Sequence, residues 1–230
     1  MMKLGKKIFI GLFLLVLVLI IEKYTDIDLL IQDRAYDFMY HEWLIDEYKH
    51  DKLGIIFYKG IKYFDMVLGI LLFISLLLSF IIIDFKQIRK PVLILLLSLA
   101  IVPFMIASAK EVTNVYCPKQ LAMYDGVEPF VRIIDNYPVG FKQKRPGRCF
   151  PAAHATAGFA LMALYFCFDD KKSKMMGLFT GASLGWIAGL YQMLRGQHFF
   201  SHTVFSMIAS FMIIMLIDYV INKRWRYEIV

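Results

Sequence analysis

Five side chains of this 230-residue protein have the types and spacing for phosphate chemistry. His198 and His202 lie four residues apart in RGQHFFSHTVFS, which puts them on one face of a helix. Arg195 precedes them, His154 stands in RCFPAAHAT, and Lys110 stands in AKEVTNVYCP. Cationic side chains and the N–H groups of helix N-termini favour phosphate oxyanions. In such a pocket one imidazole attacks phosphorus, while another protonates the leaving oxygen and then activates water. The attacking ring must be unprotonated at one nitrogen, so a third group fixes its tautomer through the other. His202 is spaced to touch His198 in that role.

The elements that carry these residues are apolar. Hydrophobic residues make up 59% of the chain and the mean hydropathy is +0.60. Uncharged runs occupy 66–83, 91–109 and 175–194, while 152–168 and 199–217 are interrupted only by His154 and His202. Each approaches the ~18–20 residues that cross a bilayer core. The run 8–21 is shorter and follows Lys6 and Lys7, as a signal peptide would. LVLIIEKYTDID offers no small-residue cleavage site, however, so an uncleaved first span is expected. The expected fold is all-α: an integral membrane six-helix bundle, one domain over 1–230, with an extracytoplasmic active site. Nothing alternates as a transmembrane barrel would.

The net charge of +7 has a positional meaning. Lys3, Lys6 and Lys7 precede the first run, and Lys86, Arg89 and Lys90 separate the second and third. Lys171, Lys172 and Lys174 join the fourth and fifth, and Lys223, Arg224 and Arg226 follow the sixth. All four groups fall on one side of a six-span chain, which the positive-inside rule makes the cytoplasm. Both termini are then cytoplasmic, and the basic balance implies no nucleic-acid partner. Lys110, His154, Arg195, His198 and His202 all fall at the opposite face.

Three segments cover that face. Residues 24–63 mix aromatic and charged residues, as one or two interfacial helices would, serving as a plain covering loop or a substrate-entry lid; His41 and His50 here read as loop histidines. Residues 110–153 are rich in turn formers, with Tyr124 and Phe130 as apolar anchors. The third segment is the link 195–201.

The order and spacing of these residues resemble the type 2 phosphatidic acid phosphatase family, including its bacterial membrane lipid phosphatases. Its three motifs are K-x6-R-P, P-S-G-H and S-R-x5-H-x3-D. The first is matched by Lys110-EVTNVY-Cys117-Pro118, with cysteine for arginine, and the second by Pro151-Ala152-Ala153-His154, without serine and glycine. The third is matched by RGQHFFSH, with His202 where aspartate is expected and Gln192 at the arginine position. The resemblance implies His198 as nucleophile, His154 as general acid and Lys110 as a phosphate ligand. Arg195, three residues off register, and Arg148 are candidate replacements for the missing arginines. It also implies a phosphohistidine route with no cofactor or metal, in the bacterial inner (cytoplasmic) membrane with the site facing the periplasm or exterior. The substrate would be a lipid phosphate or pyrophosphate of the lipid A, undecaprenyl pyrophosphate or phosphatidylglycerol phosphate class.

Other readings stay open. The same residues could move phosphate to a second lipid, or the divergent motifs could mark a non-catalytic phosphate-binding homologue. His154, His198 and His202 could hold zinc if Asp125, Glu128 or Asp135 approached. An ion-relay transporter fits less well, because no charge sits mid-span. Finally, Cys117 and Cys149 flank the first two motifs; on an oxidising face they could form a disulfide, and otherwise they are free thiols.

Overall fold

A computed structural model describes residues 4–45 and 60–227, with side chains at 4–45, 60 and 63–223. His50 lies outside the described residues. The chain is mostly helical, at 73%. Helix α1 is Leu4–Tyr24, followed by the short α2, Ile27–Gln32. Strands β1, Tyr36–Asp37, and β2, Glu42–Trp43, pair antiparallel. Then come α3, Ile61–Ile81, and α4, Arg89–Thr113. A long loop leads to α5, Thr156–Ala160, and the bundle ends with α6, Lys171–Leu194, and α7, Phe200–Tyr227.

Among the described residues, four stretches are helical, long and apolar enough to cross a bilayer: Leu4–Tyr24, Tyr63–Ile81, Ile83–Gln120 and Phe200–Lys223. Helix α1 turns Phe9, Phe13 and Val16 outward, as a helix facing lipid tails does. The core is drawn from α4 (Ile94, Leu95, Val102), α5 and its flanks (Phe159, Leu161, Met162), and α7 (Ile214, Ile217, Ile221).

The run 152–168 differs from a regular span. Its α-helix is only Thr156–Ala160, between 3₁₀ turns at Ala153–Ala155 and Leu161–Phe166. Hydropathy does not distinguish the two helix types, because both bury the same apolar residues. Close packing accompanies the change. Gly181 of α6 faces the backbone of Leu161 and Met162, and a Cβ there would overlap it. At Gly185 a Cβ would overlap the Phe159 ring. Helix α6 begins on a cap, with Asp170 accepting from the Ser173 N–H at 2.9 Å.

An aromatic layer covers the end of the bundle where α4 stops and α7 starts. Tyr36, Tyr116, Leu121, Tyr124 and Phe199 are buried together, with Trp43, Phe130 and Tyr137 against them. The Tyr124 hydroxyl donates to Asp33 at 2.6 Å. Arg132 donates to the carbonyls of Glu22 and Thr25 and pairs with Asp26 at 2.6 Å, so one guanidinium closes the C-terminal end of α1. Of the segment 24–63, expected as interfacial helices, a covering loop or a lid, the described residues 24–45 carry the short α2 and pack on the bundle through Tyr36, Trp43 and the Arg132 contacts.

Candidate active site

Three segments remote in sequence are stitched together by backbone bonds. The Cys149 N–H donates to the Val115 carbonyl at 2.8 Å, Lys119 N–H to Gly196 at 2.9 Å, and Ala152 N–H to His202 at 3.4 Å. Cys117 and Cys149 are joined by a disulfide, which ties the end of the first motif to the approach of the second. The Phe150–Pro151 peptide bond is cis. Gly196 has φ +66°, and a Cβ there would lie 2.5 Å from the Trp43 ring. Only glycine accepts both that left-handed turn and that packing, so β2 braces the link that presents His198.

Within this frame His154 Nδ1 is 3.1 Å from His198 Nε2. His198 is 1% exposed, and its other nitrogen, Nδ1, is 3.5 Å from Cys149 Sγ. The backbone of Cys149 also interacts with the His198 and His202 rings. Burial holds the His198 imidazole well below its ordinary pKa of 6.5, and the charge of Lys110 adds to this. A neutral ring with Nδ1–H turned to Cys149 leaves the Nε2 lone pair facing His154. The bridged sulfur carries no proton and can only accept there.

His202 sits differently from the orienting role expected above. Its ring centroid is 6.1 Å from that of His198, and the ring packs edge-on to Phe150 and Phe199 at 5.2 and 5.4 Å. Its Nδ1 is buried with no hydrogen-bond partner among the described residues. Cys149, not His202, is the neighbour of His198 Nδ1.

Lys110, Arg195 and Lys119 all act electrostatically on His154. Arg195 is 8% exposed and lies 5.2 Å over the Tyr191 ring. Sequence spacing does not single out Lys119, because the motif position for a cation is occupied by Cys117. The 3₁₀ turn Pro118–Gln120 carries this lysine two residues past the family position and still toward the site. Arg148 pairs with Glu111 at 2.8 Å, and both side chains are more than half exposed. It lines an outer cavity of about 600 Å³ with Lys119, Lys144, Arg145, Glu128 and Gln197.

Another residue that sequence reasoning missed is Asp28. It is buried in α2 and accepts from the Ser201 N–H at 2.8 Å and from its hydroxyl at 2.5 Å. Burial raises its pKa above the ordinary value, against the two Ser201 bonds. Gln32, 1% exposed, donates to the Met193 carbonyl at 2.9 Å. Together α2 grips both ends of the α6–α7 link. Two of the three acids considered for a zinc site are engaged elsewhere: Asp125 with Tyr36 and with His41 at 2.5 Å, Asp135 with Lys23 at 3.0 Å.

The PAP2 superfamily matches residues 91–226, more than half of the chain and all three motif segments. The chain belongs to the PAP2 superfamily. That membership bears out the resemblance to type 2 phosphatidic acid phosphatases and supports phosphatase activity on phosphate esters. No curated protein and no solved structure matches the chain.

Proposed function

We propose that this protein is a six-span membrane phosphatase that removes phosphate from a lipid phosphate or diphosphate at the extracytoplasmic leaflet. The observation that carries the reading is the His154–His198 contact of 3.1 Å, with the charges of Lys110, Arg195 and Lys119 acting on His154. His198 Nε2 attacks phosphorus, the N–P bond forms and the P–O bond to the lipid breaks. The departing oxygen takes the Nδ1 proton of the His154 imidazolium, which becomes the neutral ring. His154 then accepts a proton from water, which attacks phosphorus and frees His198. The lysines and arginine balance the phosphate charge, and no step calls on a metal.

The orientation rests on charge. Lys7, Lys90 and Lys174 all act on Asp218 of α7, so three of the four basic segments gather around one residue. Asp218 lies sixteen residues beyond His202, about 24 Å along the helix. The basic end is thus a membrane thickness from the histidines, as the positive-inside rule asks if the site faces outward. The basic outer cavity beside Gln197 suits an anionic head group, in keeping with the lipid A, undecaprenyl pyrophosphate and phosphatidylglycerol phosphate classes.

The test is phosphate release from a panel of these lipids by purified protein in EDTA. Release that survives EDTA and disappears in His198→Ala supports the reading. Release lost to EDTA and restored by zinc, or absent from every lipid, overturns it.

A further inference from the structure

The disulfide conceals a second set of ligands around His198. Cys149, His198 and His202 each present a ligand atom, all within 4.8 Å of one another, and all three residues are buried. Tetrahedral zinc with Cys and His ligands, at bond lengths of about 2.0–2.3 Å, needs ligand atoms about 3.3–3.8 Å apart. A modest convergence closes the difference. Cys149 cannot ligate while bridged to Cys117, because only a thiolate binds the metal. The independent sign of a ligand is His202. Its Nδ1 is buried and unpartnered among the described residues, a costly state for a polar atom, while Phe150 and Phe199 hold the ring in place.

We infer that reduction of the Cys117–Cys149 disulfide creates a zinc site from Cys149, His198 and His202 that silences the histidine pair. A dithiol reductant gives two electrons and two protons to the bridge. The S–S bond breaks, both cysteines become thiols, and the dithiol closes to its own disulfide. Zinc then displaces the Cys149 proton to solvent and takes lone pairs from the two imidazoles. The His198 nitrogen nearest Cys149 is Nδ1, at 3.5 Å. Metal on Nδ1 forces the neutral ring to carry its hydrogen on Nε2, and Nε2 then has no lone pair for phosphorus. The oxidised bridge has the opposite effect, since it accepts from Nδ1–H and leaves Nε2 bare. The zinc site stands on geometry alone; the silencing of His198 rests on its proposed nucleophilic role.

The experiment measures zinc per chain after desalting, with purified protein in detergent. The samples are oxidised wild type, wild type reduced with a phosphine, Cys117→Ser, and Cys117→Ser with His202→Gln. The expected result is one tightly held zinc per chain in the reduced wild type and in Cys117→Ser. The oxidised protein holds none, and adding His202→Gln weakens binding at least tenfold. Cobalt in place of zinc gives a thiolate charge-transfer band in the reduced wild type and in Cys117→Ser. Wherever phosphate release is measurable, zinc stops it only in the reduced protein and EDTA restores it. Zinc binding by a protein with no phosphatase activity still supports the site and counts only against the proposed function. Reduced protein that binds no zinc, binds it equally when oxidised, keeps it despite His202→Gln, or loses its helical signal on reduction overturns the inference. If Cys117→Ser alone does not fold, the reduced wild type carries the measurement.

Discussion

Asp28 and Ser201, 173 residues apart in sequence, are joined by two buried hydrogen bonds of 2.8 and 2.5 Å. Ser201 stands between His198 and His202 in the first turn of α7, where helix N–H groups have no partner within the helix. A carboxylate from α2 therefore supplies the cap that the link 195–199 does not. Asp28→Ala leaves two donors unsatisfied, at a cost of about 1–3 kcal/mol, and lets the histidine link shift. The expected result is a lower thermal midpoint and a loss in kcat of about 10–100-fold. Asp28→Asn, which keeps one acceptor oxygen, recovers most of both. An alanine variant as stable and active as wild type would remove Asp28 from any positioning role.

His154 separates acid catalysis from binding. If it protonates the leaving oxygen, His154→Ala slows a substrate with a poor, alkoxide leaving group by about 10²–10⁴-fold. A substrate whose leaving group departs without a proton, such as a nitrophenyl phosphate, loses far less in the first, phosphoenzyme-forming step. Rapid-quench measurement of phosphoenzyme formation reads that step directly. Equal losses for the two substrates would make His154 a binding residue.

The ease with which the sequence yields this site varies residue by residue. Run 91–109 lies inside one of the four stretches long and apolar enough to cross a bilayer, because uncharged length is what a bilayer demands and composition records it. Run 175–194 forms the helix Lys171–Leu194 but is not among those four. The run 152–168 was legible as apolar but not as a 3₁₀–α–3₁₀ segment, which follows from packing against α6 and leaves no trace in hydropathy. His154, His198, Lys110 and Arg195 could be nominated because their spacing places them at successive helix ends. Lys119 could not, since a displaced cation looks like any loop lysine until the 3₁₀ turn is drawn. Asp28 and Cys149 act on partners far along the chain, and local pattern carries no information about such contacts.

Lys144 and Arg145 line the outer cavity with Arg148. In the proposed reaction their charge acts on the head group rather than on the reacting phosphorus. The double variant Lys144→Ala/Arg145→Ala is expected to raise KM about tenfold for a lipid with a second head-group phosphate, with kcat nearly unchanged. The same variant shifts KM little for a lipid monophosphate. Steady-state kinetics on the two lipids checks this, and an equal change for both would assign the cavity to loop structure alone.

The acid side of the pH profile reports on His198. Burial and Lys110 both disfavour its imidazolium, so its pKa lies well below 6.5 in the free enzyme. The nucleophilic, neutral ring therefore persists as pH falls below the value at which a solvated histidine would protonate. Lys110→Gln removes the positive charge but leaves the burial, which raises the His198 pKa part of the way toward 6.5. In a plot of log kcat/KM against pH, the acid limb of the variant then moves to higher pH, while the plateau falls because a phosphate ligand is lost. Titration of the substrate phosphate contributes equally to both enzymes and cancels in the comparison. An acid limb that stays in place, or moves to lower pH, would mean that Lys110 does not act on the ring that attacks.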